Sequence, residues 1–229
     1  MHIKKLSSER VRLDEIVQAG SSVSDHLNVN APLFPNNVRA LIVGESACGK
    51  THATISLLLS EHGLKFEHVL IVSPTACQDK YKLLEDVLRG TGVTFNVHMD
   101  IDEVSMDSLK PFTTIVFDDL TLSDYTKVSP FFYRGRHAVV NCLFLTHTYG
   151  VHPPQIIKQN ANAIFFYKLP LNTLKLIHRD FVGSDMTWDE FLSLCKLCFH
   201  VKHNFVSIVK DFPINSGRYR KNFDQFVTI

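Results

Sequence analysis

Glycine and proline are scarce in this 229-residue chain, ten and nine respectively, which excludes a low-complexity or disordered polypeptide. Seventeen phenylalanines argue for a packed interior instead. No apolar run nears the ~18 residues that a membrane-spanning helix needs. Net charge is almost absent as well, since 24 basic against 23 acidic side chains leave +1. That balance excludes a globally basic nucleic-acid coat and an acidic tail protein, so any nucleic-acid contact must come from a local patch. Cysteine is sparse and odd in number, at Cys48, Cys77, Cys142, Cys195 and Cys198. Such a set reads as reduced intracellular thiols rather than a disulfide frame. Met1 to Arg12 is charged and lacks the apolar core of a secretory leader.

What is present is an alternation of short apolar runs with helical patterns. Val38 to Val43, His68 to Val72, Thr94 to Val97, Thr113 to Phe117, Val139 to Leu145 and Ala163 to Tyr167 read as strands. Between them, Thr51 to Glu61 and the Tyr81, Leu84, Val87, Leu88 spacing read as helices. Strands of this kind alternating with helices predict an α/β fold with a mostly parallel sheet covered on both faces. Further helices are expected at Leu171 to Asp180 and Trp188 to Phe199, then an edge strand at Asn204 to Lys210 and a polar tail from Ser216. Residues 1–33 read as an N-terminal extension, with an amphipathic helix at Ser8 to Ala19, and 34–229 as a single domain.

The chemistry concentrates at two places. Gly44-Glu45-Ser46-Ala47-Cys48-Gly49-Lys50-Thr51 matches G-x-x-x-x-G-K-[ST] between an expected strand and an expected helix. In that setting glycines let successive N–H groups curl around a phosphate, and the helix N-terminus adds its dipole. Lys50 would reach the β- and γ-phosphates, Thr51 would ligate Mg²⁺, and His52 would border the nucleotide. The second place is the end of the Thr113 to Phe117 strand, where Asp118 and Asp119 follow directly. Ligands gather beyond the carboxyl ends of such strands. Asp118 is expected to hold the metal and Asp119 to orient or deprotonate water. Two aspartates can also simply open a turn, but the nearby phosphate motif favours the catalytic reading. The separation of Lys50 from Asp118 leaves room for a further strand between the two motif strands, as in one class of P-loop ATPases.

These residues also resemble a family. Phe34 to Thr51, Ile115 to Asp119, Phe132-Tyr-Arg-Gly-Arg-His137, and Cys142 to His147 followed by Val151 to Asn160 look like the poxvirus-type DNA-packaging ATPases of the FtsK/HerA superfamily. The likeness spans about 60% of the chain, residues 34 to 168. It implies a RecA-like P-loop NTPase with Walker A and Walker B motifs that hydrolyses ATP with Mg²⁺. Such a motor drives double-stranded DNA into a capsid as a homo-oligomeric ring, a hexamer by this resemblance, with viral capsid proteins as partners. The implied location is the infected cell, at a nuclear or cytoplasmic assembly site, or the virion. By the same resemblance, Thr146 or His147 occupies the polar sensor position, and Arg136 or Arg134 the basic position that serves a neighbouring subunit. The chain departs from the family in carrying Asp-Asp where Asp-Glu is usual, and Lys158 where Arg is frequent. The alternatives are a P-loop nucleoside or nucleotide kinase, and a nucleotide-dependent assembly protein with little turnover.

Two further signals carry less. Cys195, Cys198, His200 and His203 could suggest zinc, but their spacing is too short for a finger and the cysteines continue the apolar face of Phe191 and Leu194. Arg218-Tyr-Arg-Lys-Asn-Phe223 mixes cations with aromatics, as either a nucleic-acid contact or a solvated tail would.

Overall fold

The apolar runs form the strands of one sheet. In the computed structural model, which describes residues 2–5, 30–135 and 138–229, the elements follow in this order. They are β1 (His2–Lys5), β2 (Arg39–Val43), α1 (Lys50–Leu59), β3 (His68–Val72), α2 (Asp79–Leu88), β4 (Thr94–His98), β5 (Thr113–Phe117) and α3 (Tyr125–Arg134). Then come β6 (Val140–Thr146), α4 (Gln155–Asn160), β7 (Ala163–Phe166), α5 (Leu171–Ile177), α6 (Trp188–Cys198), β8 (Val206–Val209), β9 (Tyr219–Lys221) and β10 (Gln225–Thr228). The helix expected at Ser8 to Ala19 lies outside the described residues.

Across the sheet the strand order is β1-β10-β9-β8-β7-β2-β6-β5-β3-β4. From β7 to β4 every neighbouring pair is parallel. From β7 outward to β1 every pair is antiparallel. The parallel part is buried on both faces because alternate side chains of each strand feed a separate core. Leu41, Val43, Ile115, Phe117, Phe144 and Phe166 point to one side, where α3, α5 and α6 cover them. Ala40, Ile42, Val116, Leu143 and Phe165 point to the other, against α1 and α2. This is the expected α/β class, with helices on both faces.

Two expectations need correction. The run at Asn204 to Lys210 is not an edge strand, because β8 lies inside the sheet between β7 and β9. The residues after Ser216 are not a solvated tail either, since β9 and β10 extend the sheet. Their cations are used internally: Arg218 pairs with Asp185 (2.6 Å). Arg220 is fully buried, donating to the Gly217 carbonyl (2.6 Å) and the Phe223 carbonyl (3.1 Å) with its guanidinium over the Phe34, Phe212 and Phe226 rings.

Candidate functional site

At the end of β2 the chain turns sharply into α1, and two glycines make that turn possible. A Cβ on Gly44 would sit 2.5 Å from Cys48 Sγ and 3.0 Å from a Tyr167 ring carbon. Gly49, which caps α1, has φ 114°, a conformation that L side chains rarely adopt. Between them Ala47 takes a left-handed φ of 58°. The resulting loop leaves Lys50 and Thr51 at the first turn of α1, where unpaired backbone N–H groups and the helix dipole favour an anion. Cys48 needs no chemical role here: burial pushes its thiol up, with the Lys50 ammonium opposing, so it stays a poor nucleophile.

Sheet order brings the remaining groups to this loop. Strand β6 lies between β2 and β5, so the ends of all three meet above the sheet. Asp118 follows β5 and is 2% exposed. One of its oxygens accepts from the Tyr81 hydroxyl (2.6 Å) and the Thr51 hydroxyl (3.2 Å). Burial pushes this carboxyl above the ordinary range, and Asp119 adds to the rise. The hydroxyl bonds and Lys50 oppose it without cancelling it. Asp119 is more open and sits in a left-handed φ of 52°. It accepts from the Thr75 hydroxyl (2.9 Å) and meets His147 Nε2 (3.2 Å). Burial alone would raise its carboxyl, but those two hydrogen bonds hold it below the ordinary range.

His147 is the hinge between the two charged groups. Its Nδ1 lies 3.1 Å from Lys50 Nζ and its Nε2 faces Asp119, so a neutral ring protonated on Nε2 satisfies both contacts. Lys50 also folds back on its own loop, donating to the carbonyls of Gly44 (2.8 Å) and Glu45 (3.1 Å). Burial lowers its pKa, while Cys48, Asp118 and Asp119 pull the other way.

Not every residue singled out in the sequence reaches this point. Ser46, Ala47, Gly49, Lys50, Thr51, His52, Asp118, Asp119 and His147 border one cleft of about 1010 Å³. Glu45 and Cys48 border an adjoining hollow on the other side of the loop, and Gly44 is buried beneath it. Thr146 is buried below the cleft, bonded to the Thr148 carbonyl (3.1 Å) and close to the Tyr125 hydroxyl (3.3 Å). That leaves His147 as the member of the pair facing the cleft. Arg134 ends α3 away from it, paired with Asp107. Arg136 lies outside the described residues. The cysteine–histidine cluster does not assemble: Cys195 and Cys198 are buried in the core, and His203 instead meets the Cys48 carbonyl (2.9 Å). No group of metal-binding side chains of three or more occurs among the described residues.

The sequence does not assign Thr75, Tyr81 and Tyr167 to this site, and it suggests His203 only as a zinc ligand. Each contacts the site across a fold-determined gap, and only a polar tip on an otherwise apolar helical face marks Tyr81 in advance.

No family model matches the chain, and no curated protein matches it by sequence. Solved structures do. Genome packaging NTPase B204 from Sulfolobus turreted icosahedral virus 2, in complex with sulfate, is similar over 86% of this chain and 100% of its own, at 14% identity and a TM-score of 0.56. The same protein in complex with ATP-gammaS covers 82% of this chain and 97% of its own, at 14% identity and a TM-score of 0.52. B204, the DNA-packaging ATPase from Sulfolobus Turreted Icosahedral Virus, covers 82% and 97% at 13% identity with a TM-score of 0.53. At such identity the likeness concerns the fold.

Proposed function

We propose that this chain is an ATP-hydrolysing motor of the FtsK/HerA type that moves double-stranded viral DNA into a capsid, working as a homo-oligomeric ring. The observation that carries the reading is the meeting of Lys50, Thr51, Asp118, Asp119 and His147 at the ends of three adjacent parallel strands. Similarity of fold to genome-packaging NTPases supports the DNA-moving part. The interposed β6 speaks against a simple nucleotide kinase.

In this reading the loop and α1 N–H groups cradle the phosphates of ATP. Lys50 leaves its own carbonyls and His147 for the β- and γ-phosphates. Thr51 and Asp118 present two oxygens side by side, 3.2 Å apart, a donor set that suits Mg²⁺. When bound, that ion would neutralise charge on the phosphate oxygens. Asp119, the more open carboxylate and held in place by Thr75 and His147, would orient or deprotonate the attacking water. His147 fixes its direction. Transition-state charge is met in trans by Arg136 or Arg134 of a neighbouring subunit, an effect worth about 10³ to 10⁵ in rate. Activity would take place at the site of virion assembly, with capsid proteins as partners.

The test is phosphate release with and without linear double-stranded DNA, for the wild type, Lys50→Ala and Arg136→Ala. DNA-stimulated turnover that falls at least ~100-fold in both variants is the expected result. Partial recovery on mixing the two variants is expected as well, since each supplies what the other lacks. Turnover indifferent to DNA, or phosphate passed to an added nucleoside, would discard the motor.

A further inference from the structure

The cleft that holds the glycine loop does not end at Thr51. Asp119 and His147 lie on the β6–β5 side of the loop, where water would attack in the reading above, so the terminal phosphate lies toward them and the nucleoside toward the opposite side, where β7 to β10 lie. There the cleft continues along the open side of α1, past His52 and Ser56. Its far wall comes from the antiparallel extension: Asn204 before β8, and Asn222 and Asp224 in the turn between β9 and β10.

That wall is built, not loose. Asn222 holds a left-handed φ of 54°. Its backbone N–H donates to the Phe205 carbonyl (2.9 Å), and its carbonyl accepts from Ser207 Oγ (2.6 Å). Its side-chain Oδ1 accepts from the Phe205 N–H (3.2 Å). This last bond fixes which way the Asn222 amide points, so Nδ2 is the atom facing Asn204, and it donates to Asn204 Oδ1 (3.2 Å). Asn204 is thereby oriented too, with Nδ2 left over. Neither that nitrogen nor the exposed Asp224 carboxylate has a hydrogen-bond or ion-pair partner among the described residues. The wall therefore offers one donor and one acceptor to whatever enters. Left-handed non-glycine residues are otherwise rare here, yet Ala47, Asp119, His203 and Asn222 all border this one cleft.

We propose that the antiparallel extension reads the nucleobase, Asn204 Nδ2 donating to a ring nitrogen of adenine and the Asp224 carboxylate accepting from its exocyclic amine. The inference rests on the ATP reading above and adds a base-selecting surface to it. A guanine in the same pose would set its 6-oxygen against the carboxylate, an unpaired and repulsive contact.

The experiment measures equilibrium binding of ATP, GTP and inorganic tripolyphosphate to the full chain. It compares the wild type with Asp224→Asn and Asn204→Asp, of which the second keeps the oxygen that Asn222 needs. Tripolyphosphate probes the loop without the base. The wild type should prefer ATP to GTP by roughly tenfold or more. Each variant should lose roughly tenfold for ATP while holding tripolyphosphate within about twofold. Asp224→Asn should also narrow or invert the ATP preference, because its amide can donate to a 6-oxygen. ATP affinity unchanged in both variants, or falling in step with tripolyphosphate, would overturn the base-reading wall. A wild-type chain that binds neither ATP nor tripolyphosphate would overturn the phosphate site itself, and the wall with it.

Discussion

Asp118 is the residue at which function and stability pull apart. It is buried beside a second carboxylate, and burial keeps its pKa above the unfolded value. Stability from such a group is full below the ordinary carboxylate range and is lost as pH rises through the raised folded value. Asp118→Asn removes this loss while still accepting from Tyr81 and Thr51. The variant should melt higher than the wild type without nucleotide, by about 1 kcal/mol near neutral pH. The gap should widen as pH rises through that window. ATP turnover should meanwhile fall at least ~100-fold. Thermal melts across pH, read beside phosphate release, check both halves, and a variant that melts lower would contradict the account. At this scale the sequence was partly legible. Lys50, Thr51, Asp118 and Asp119 lie within two short motifs whose chemistry is local, so spacing reveals them. Thr75 and Tyr81 act on the acidic pair through space, from the loop after β3 and from α2, and local pattern carries no trace of that pairing.

Among the elements, the parallel strands were readable because burial on both faces makes each a continuous apolar run. Strands β9 and β10 were not. They are three and four residues long; β9 reads Tyr-Arg-Lys and β10 opens on Gln225 and ends on Thr228, compositions that suggest solvent. Arg220 defeats the pattern most directly, being a full charge enclosed by phenylalanine faces. Burial pushes its guanidinium pKa down to about 9, so the site exacts a cost, offset by cation–π contact and by the Gly217 and Phe223 carbonyls. Arg220→Ala leaves a large void and two carbonyls without their donor. It should destabilise the fold by about 3 kcal/mol or more, measured by urea denaturation. Loss of less than about 1 kcal/mol would show that the extension does not depend on it.

At the scale of the whole molecule, β1 and β10 join the start of the chain to its last strand, with His2 opposite Thr228 and Lys5 opposite Gln225. The outer strand β1 reads His-Ile-Lys-Lys, so the sheet ends on a lysine-bearing edge; removing residues 1–5 would exchange it for β10, an uncharged edge whose N–H and C=O groups can pair with another copy. The truncated chain should self-associate at concentrations where the full chain does not, as static light scattering would detect. An unchanged molecular mass over the same range would mean that the edge is protected in another way. No periodicity announces this pairing, because it joins residues more than two hundred positions apart.

The placing of β6 has one more consequence, of aperture. Adjacent strands lie ~4.8 Å apart, so β2 and β5 run ~10 Å apart with β6 between them. Had the two been neighbours, the carboxylate after β5 would crowd the loop after β2. The extra strand instead sets Asp119 back from the loop, and the His147 ring that follows β6 spans the interval from Lys50 (3.1 Å) to Asp119 (3.2 Å). In the proposed hydrolysis this setback is the room in which Asp119 would hold a water molecule facing the terminal phosphate.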